Sequence, residues 1–130
     1  MSLKRITGAA TAGNAAMALE VPAGNCDIVK YGMVTLTTDG TVADRTVVLT
    51  VKDGGTALFS LSVGAVQAAS VTGRVHTFFP QALRETSVVN GSLMTPIPEL
   101  VLTAGQTIEI TITNGVAGDS FTADFTVERN

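Results

Sequence analysis

The 130-residue chain has no tryptophan, one tyrosine, one histidine and one cysteine, and only 15% of its residues are charged. Each shortage removes a class of explanation. A lone thiol, Cys26, closes no intrachain disulfide, so stability must come from a hydrophobic core, a usage that suits a reducing cytoplasm. Cys26 and His76 together fall short of the four N/S ligands of a structural zinc site. Eight Lys and Arg against eleven Asp and Glu give a net charge of −3, which argues against a nucleic-acid binder held by a broad basic field. No run approaches the ~20 consecutive apolar residues of a membrane span. Sugar-stacking platforms need several Trp and Tyr rings, and Tyr31 stands alone.

What is abundant is β-forming. Hydrophobic residues make up 45% of the chain, too many for a disordered tail. A chain of this length forms one domain that buries roughly two thirds of its unfolded surface. Thr and Val, both β-branched, dominate the composition. Ile108, Ile110 and Ile112 alternate with Thr107, Glu109, Thr111 and Thr113. Phe121, Ala123, Phe125 and Val127 alternate with Thr122, Asp124, Thr126 and Glu128 in the same way. Period two over such lengths is the mark of a strand with one buried face. Residues 45–52 and 56–63 repeat it and read as a hairpin about Asp53-Gly54-Gly55, and 114–119 reads as the turn of a second hairpin. Residues 26–37 are long for one strand, and their alternation slips near Gly32, where a β-bulge is expected. Residues 71–79 are expected to turn Val71 and Val75 inward, and shorter strands fall at 17–21 and 99–103. Gln81 to Glu85 has room for one helical turn, and the prolines at 96 and 98 make 80–98 a long crossing connection. Leu19-Glu20-Val21-Pro22-Ala23-Gly24 echoes Leu100-Val101-Leu102-Thr103-Ala104-Gly105, two short strands that each end in an Ala-Gly corner.

These elements define an all-β, antiparallel two-sheet sandwich, jelly-roll-like, of about eight strands with an extended N-terminal arm. The arm occupies residues 1–17 and the sandwich domain 18–130. Lys4 and Arg5 followed by small residues up to Ala16-Met17-Ala18 have the outline of a secretory signal. Thr7, Gly8, Thr11, Gly13 and Asn14 interrupt its apolar region, so the segment is read as an arm.

Catalytic constellations are not apparent. His76 falls on the face opposite Val71 and Val75, beside Arg74, and is expected on the surface without a nucleophile to serve. Asp27 beside Cys26 disfavours a reactive thiolate. Asp39, Asp44, Asp53 and Asp119 lie on loops that calcium would accept, but lack the spacing of a calcium loop and are ordinary turn formers. Phosphate-binding glycine loops are missing, and Asn90-Gly91-Ser92 is a glycosylation triplet of low specificity. The chain is therefore read as a non-enzyme without cofactor or metal. What is left is surface for partners. Leu3, Lys4, Arg5 and Ile6 of the arm are candidates, and so is Phe78, expected to face out while Phe79 enters the core.

The runs Glu20-Val21-Pro22-Ala23-Gly24, Val34 to Val47, Gly64 to Ser70 and Leu100 to Ile108 resemble small β-sandwich virion proteins of tailed bacteriophages, most of all capsid decoration (cement) proteins. The likeness spans roughly residues 19 to 128 and rests on structural phrases. It implies a homotrimer on the outer capsid surface, bound to the major capsid protein, assembled in the host cytoplasm, with no nucleic acid or membrane partner. No catalytic residue is carried over. A receptor- or glycan-binding sandwich domain of a phage tail or secreted appendage is the alternative, against which the missing tryptophan counts.

Overall fold

The computed structural model describes residues 2–130, so Met1 of the expected arm lies outside the described residues. Ten strands are present among them: β1 (Ser2–Ala12), β2 (Met17–Glu20), β3 (Cys26–Thr37), β4 (Thr46–Asp53), β5 (Thr56–Ser62), β6 (Arg74–Pro80), β7 (Ser92–Ile97), β8 (Leu100–Thr103), β9 (Gln106–Thr113) and β10 (Ser120–Arg129). They form a two-sheet sandwich. One sheet runs β1-β10-β3-β6-β7, with β8 also paired to β3, and the other runs β2-β9-β4-β5. All pairs are antiparallel except β6 with β7.

The alternating residues of the sequence meet between the sheets. Ile108, Ile110, Ile112, Val47, Leu49 and Val51 from the four-stranded sheet face Val34, Leu36, Phe121, Phe125, Val127 and Phe78 from the six-stranded one. Burial of this apolar surface is the main favourable term in folding.

The short echo in sequence has a structural meaning. β2 pairs with β9 from Met17↔Ile110 to Glu20↔Thr107, and β3 then pairs with β8 from Cys26↔Thr103 to Val29↔Leu100. Between them, the Val21 amide donates to the Gln106 carbonyl at 2.9 Å, and the Gly105 amide donates back to Val21 at 3.0 Å. The two echoing segments are thus the two arms of one ribbon that bends from one sheet into the other, as a jelly roll requires. Gly24 (φ 81°) and Gly105 (φ 85°) take the left-handed backbone at its two corners.

Several expectations are corrected. Strand β9 lies in one sheet and β10 in the other, so 114–119 is a corner between sheets and not a hairpin turn. It packs against the matching corner after β1, where the Gly13 amide donates to Asp119 at 2.9 Å. The bulge in β3 falls at Lys30, because Thr126 opposes Tyr31 while Val127 opposes Val29. Gly32 serves packing instead: a side chain there would enter the ring of Phe125. No helical turn forms at 81–85, and 80–98 contains β7. Its proline is tolerated because β7 is an edge strand. The N-terminal arm is extended as expected, and its residues Ser2–Ala12 run as strand β1 along the edge of this chain's own sheet, paired with β10.

Candidate docking face and buried polar braces

Strand phase decides which of the expected partner residues are available. Phe78 is fully buried and stacks near Phe125 (ring centroids 6.1 Å apart), while Phe79 is 46% exposed, the reverse of the expectation. The cause lies in where β6 begins and in what it faces. Strand β6 starts at Arg74, after a left-handed Gly73, and its register against β3 places Phe78 opposite the side-chain-free Gly32. His76 follows Phe78 inward and is 1% exposed, so the surface histidine expected from the sequence is also corrected.

Gln67 makes that burial tolerable. Its amide nitrogen donates to the Leu36 carbonyl at 2.8 Å, which turns its oxygen toward His76 Nε2 at 3.0 Å. His76 therefore donates from Nε2 as the neutral imidazole, and Nδ1 is left without a hydrogen-bond partner among the described residues. Burial, with a smaller contribution from the Arg74 cation, lowers its pKa from 6.5 to about 4.

Two ion pairs fasten the ends of the sandwich. Arg45 is fully buried, and each of its guanidinium donors is matched. Nε and Nη2 reach Asp119 at 3.0 Å each, Nη2 also reaches Asp39 at 3.0 Å, and Nη1 donates to the Thr41 and Ala43 carbonyls at 2.7 and 2.8 Å. Asp119 also accepts from the Asp39 and Val116 amides. Burial pushes its carboxyl pKa up, but the Arg45 guanidinium and these two amides more than offset that and hold it below the usual range. Of the four loop aspartates weighed as calcium ligands, the fold brings Asp39 and Asp119 together around a guanidinium; Asp44 and Asp53 do not join them. At the other end, buried Asp27 takes a bidentate contact from Arg129 at 2.8 and 2.7 Å. Neither pair leaves a local pattern in the sequence, since the partners are 74 and 102 residues apart.

The two outer faces differ. On the four-stranded sheet, Thr50 and Ser60 share a hydrogen bond at 3.1 Å, Lys52 pairs with Glu109 at 3.0 Å, and Thr111 stands beside them; Leu58 is its exposed large apolar residue. The six-stranded sheet instead turns Leu3, Tyr31, Met33, Phe79 and Val101 outward, between 43% and 63% exposed. Tyr31 and Phe79 stack across β3 and β6 with centroids 5.9 Å apart. Its two cations are matched within the chain: Arg5 holds Asp124 through two contacts at 2.9 and 3.0 Å, and Lys30 lies 3.3 Å from Glu128.

Two depressions flank Tyr31. One, of about 210 Å³, lies among Arg5, Met33, Thr77 and Asp124; the other, of about 500 Å³, lies among Leu3, Phe79, Pro80, Gln81 and Glu128. Of the five residues proposed from sequence, Leu3 and Arg5 lie on this face. Lys4 is exposed on the opposite side of the β1 ribbon, Ile6 packs against the core, and Phe78 is inside it. Tyr31, Met33 and Phe79 are not among those five: the slip in alternation marks a bulge in β3 but not its position at Lys30, and the phase of β6 depends on partners remote in sequence. No family model matches the chain, and no curated protein matches it.

Proposed function

We propose that this chain is a structural, non-enzymatic protein that works through its surfaces, and that its setting is the head of a tailed phage, as a decoration protein on the outer capsid. The observation that carries an adhesive role is the outer face of the six-stranded sheet, where Leu3, Tyr31, Met33, Phe79 and Val101 are exposed and Arg5 and Lys30 are paired within the chain. Exposed aromatic, Met and Leu side chains gathered around Tyr31 on one sheet face are the residue types of interaction sites on folded proteins. The phage setting comes from the sequence resemblance, which also supplies the major capsid protein as partner and three as the copy number.

The sandwich suits such a duty physically. Its ends are fastened by Arg45–Asp119, which ties the segment before β4 to the start of β10 in the other sheet, and by Asp27–Arg129 within the six-stranded sheet. A shell protein of this kind adds many interfaces of ~800 Å² per partner, and repetition over a lattice multiplies their effect. Electron cryomicroscopy and mass spectrometry of phage particles from the source of the gene test the setting. The expected result is the chain on the outer head surface in threefold clusters. Its absence from particles, or its presence only in the tail, overturns the decoration role.

A further inference from the structure

We propose that Asn90, in the turn before β7, is a site of spontaneous covalent modification in the folded chain. Its side-chain amide is lost as ammonia through a succinimide, leaving aspartate or isoaspartate. This chemistry is independent of the capsid setting.

The reaction needs no enzyme and exchanges no electrons. The backbone nitrogen of the following residue gives up its proton and attacks the asparagine Cγ, and the side-chain nitrogen leaves as ammonia. Water then adds to either carbonyl of the ring. One opening gives aspartate; the other gives isoaspartate, whose main chain runs through the former side chain. Glycine hinders the attack least, because it has no Cβ. Asn-Gly occurs twice, at Asn90-Gly91 and Asn114-Gly115, so the fold decides between two sites.

Both asparagines are exposed and left-handed, with φ of 52° at Asn90 and 59° at Asn114. That conformation holds the next nitrogen away from Cγ. The backbone must swing out of it before attack, so the cost of local opening sets the rate.

At Asn114 the opening is resisted from several sides. Its side-chain amide donates to the Asp44 carbonyl at 3.1 Å, and the attacking Gly115 amide is held on Ile112 at 3.0 Å. A side chain at Gly115 would enter the Gly13 carbonyl, so the two corners are tightly packed there. Val116 and Asp119 of the same corner belong to the network around buried Arg45. Freeing Gly115 therefore loosens the junction between the sheets.

At Asn90 the attacking nitrogen is already free. Among the described residues the Gly91 amide has no acceptor, and no contact holds the Asn90 side chain. The turn is closed by one isolated bridge, Val89 with Ser92, through two bonds of 3.0 Å. Ser87 and Val88 before it belong to no strand. Conversion adds a negative charge to this edge. Isoaspartate also lengthens the main chain next to Gly91, whose carbonyl accepts from Val75 of β6 at 3.0 Å.

Peptide mapping by mass spectrometry tests the proposal on the full chain, aged in mildly alkaline buffer with and without denaturing urea. Cleavage after glutamate puts the two sites in different peptides, because Glu99 and Glu109 lie between them. In the folded chain Asn90 is expected to convert at least ~10-fold faster than Asn114, which asks for only ~1.4 kcal/mol of difference in opening. In urea the two should convert at similar rates. Asn90→Gln should abolish the fast conversion. A folded chain in which Asn114 converts as fast as Asn90, or in which Asn90 stays intact while both convert in urea, overturns the proposal.

Discussion

Acid should strip stability from this fold through one side chain, His76. In the folded chain its pKa is about 4, lowered by burial and then by Arg74; in the unfolded chain it returns to 6.5. The unfolded state therefore binds a proton between these values that the folded state refuses. Stability from this group is complete above pH 6.5, falls as pH drops toward 4, and is flat below that. The groups around the ring offer no relief. Gln67 Oε1 accepts from Nε2 and has no proton to exchange, and the cross-strand neighbours of His76 are Val34 and Leu93. At about 1.36 kcal/mol per pH unit, the full gap is worth roughly 3 kcal/mol, and roughly 2 kcal/mol of it is lost by pH 5. The assay is urea denaturation of wild type and His76→Gln across this range. Glutamine keeps an N–H for Gln67 and cannot titrate, so the difference between the two proteins removes the shared effect of the carboxylates. Wild type should lose about 2 kcal/mol relative to the variant between pH 7.5 and 5. A difference that does not change with pH would refute a buried, neutral His76.

Three further outcomes test the packing. Phe78→Ala should destabilise by about 3–5 kcal/mol in chemical denaturation and Phe79→Ala by less than ~1 kcal/mol, because the first ring is in the core and the second faces out. Equal effects would contradict the phase of β6. Gly32→Ala should cost roughly 1–3 kcal/mol in the same assay, since its methyl group enters the ring of Phe125; a neutral result would show that the ring yields freely. Asp119→Asn should lower the thermal midpoint by about 10 °C or more, because it leaves Arg45 buried with one charge partner fewer. A melt within ~2 °C of wild type would show that the network is dispensable.

Legibility in the sequence followed the range of the interactions. Strands β4, β5, β9 and β10 carry their own alternation, so Ile108 to Ile112 and Phe121 to Val127 could be placed inward from local pattern alone. The β4–β5 turn was equally local, at Asp53-Gly54-Gly55. The 114–119 segment was not, because Gly and Asn accept the tight backbone of a corner as readily as that of a hairpin. In β6 the more apolar set, Val75 and Phe79, competes with a set containing His76, and pattern favours the former. The fold reverses the choice through Gly32, which leaves space in front of Phe78, and through Gln67, which satisfies the imidazole. Both partners are remote in sequence. The docking face was half visible for the same reason: Leu3 and Arg5 stood out as apolar and basic residues near one end of the chain, while Tyr31 and Met33 depend on a bulge at Lys30 that only pairing with β10 fixes.

Adhesion through the six-stranded sheet is tested most directly by hydroxyl-radical footprinting, which labels exposed aromatic, sulfur-containing and branched aliphatic side chains. The dilute chain is compared with its assembled state, whether oligomer or particle. Tyr31, Met33 and Phe79 should be labelled in the dilute chain and protected together on assembly, with Leu58 on the other face unchanged. Protection of Leu58 while Tyr31, Met33 and Phe79 stay labelled would contradict the assignment of this face.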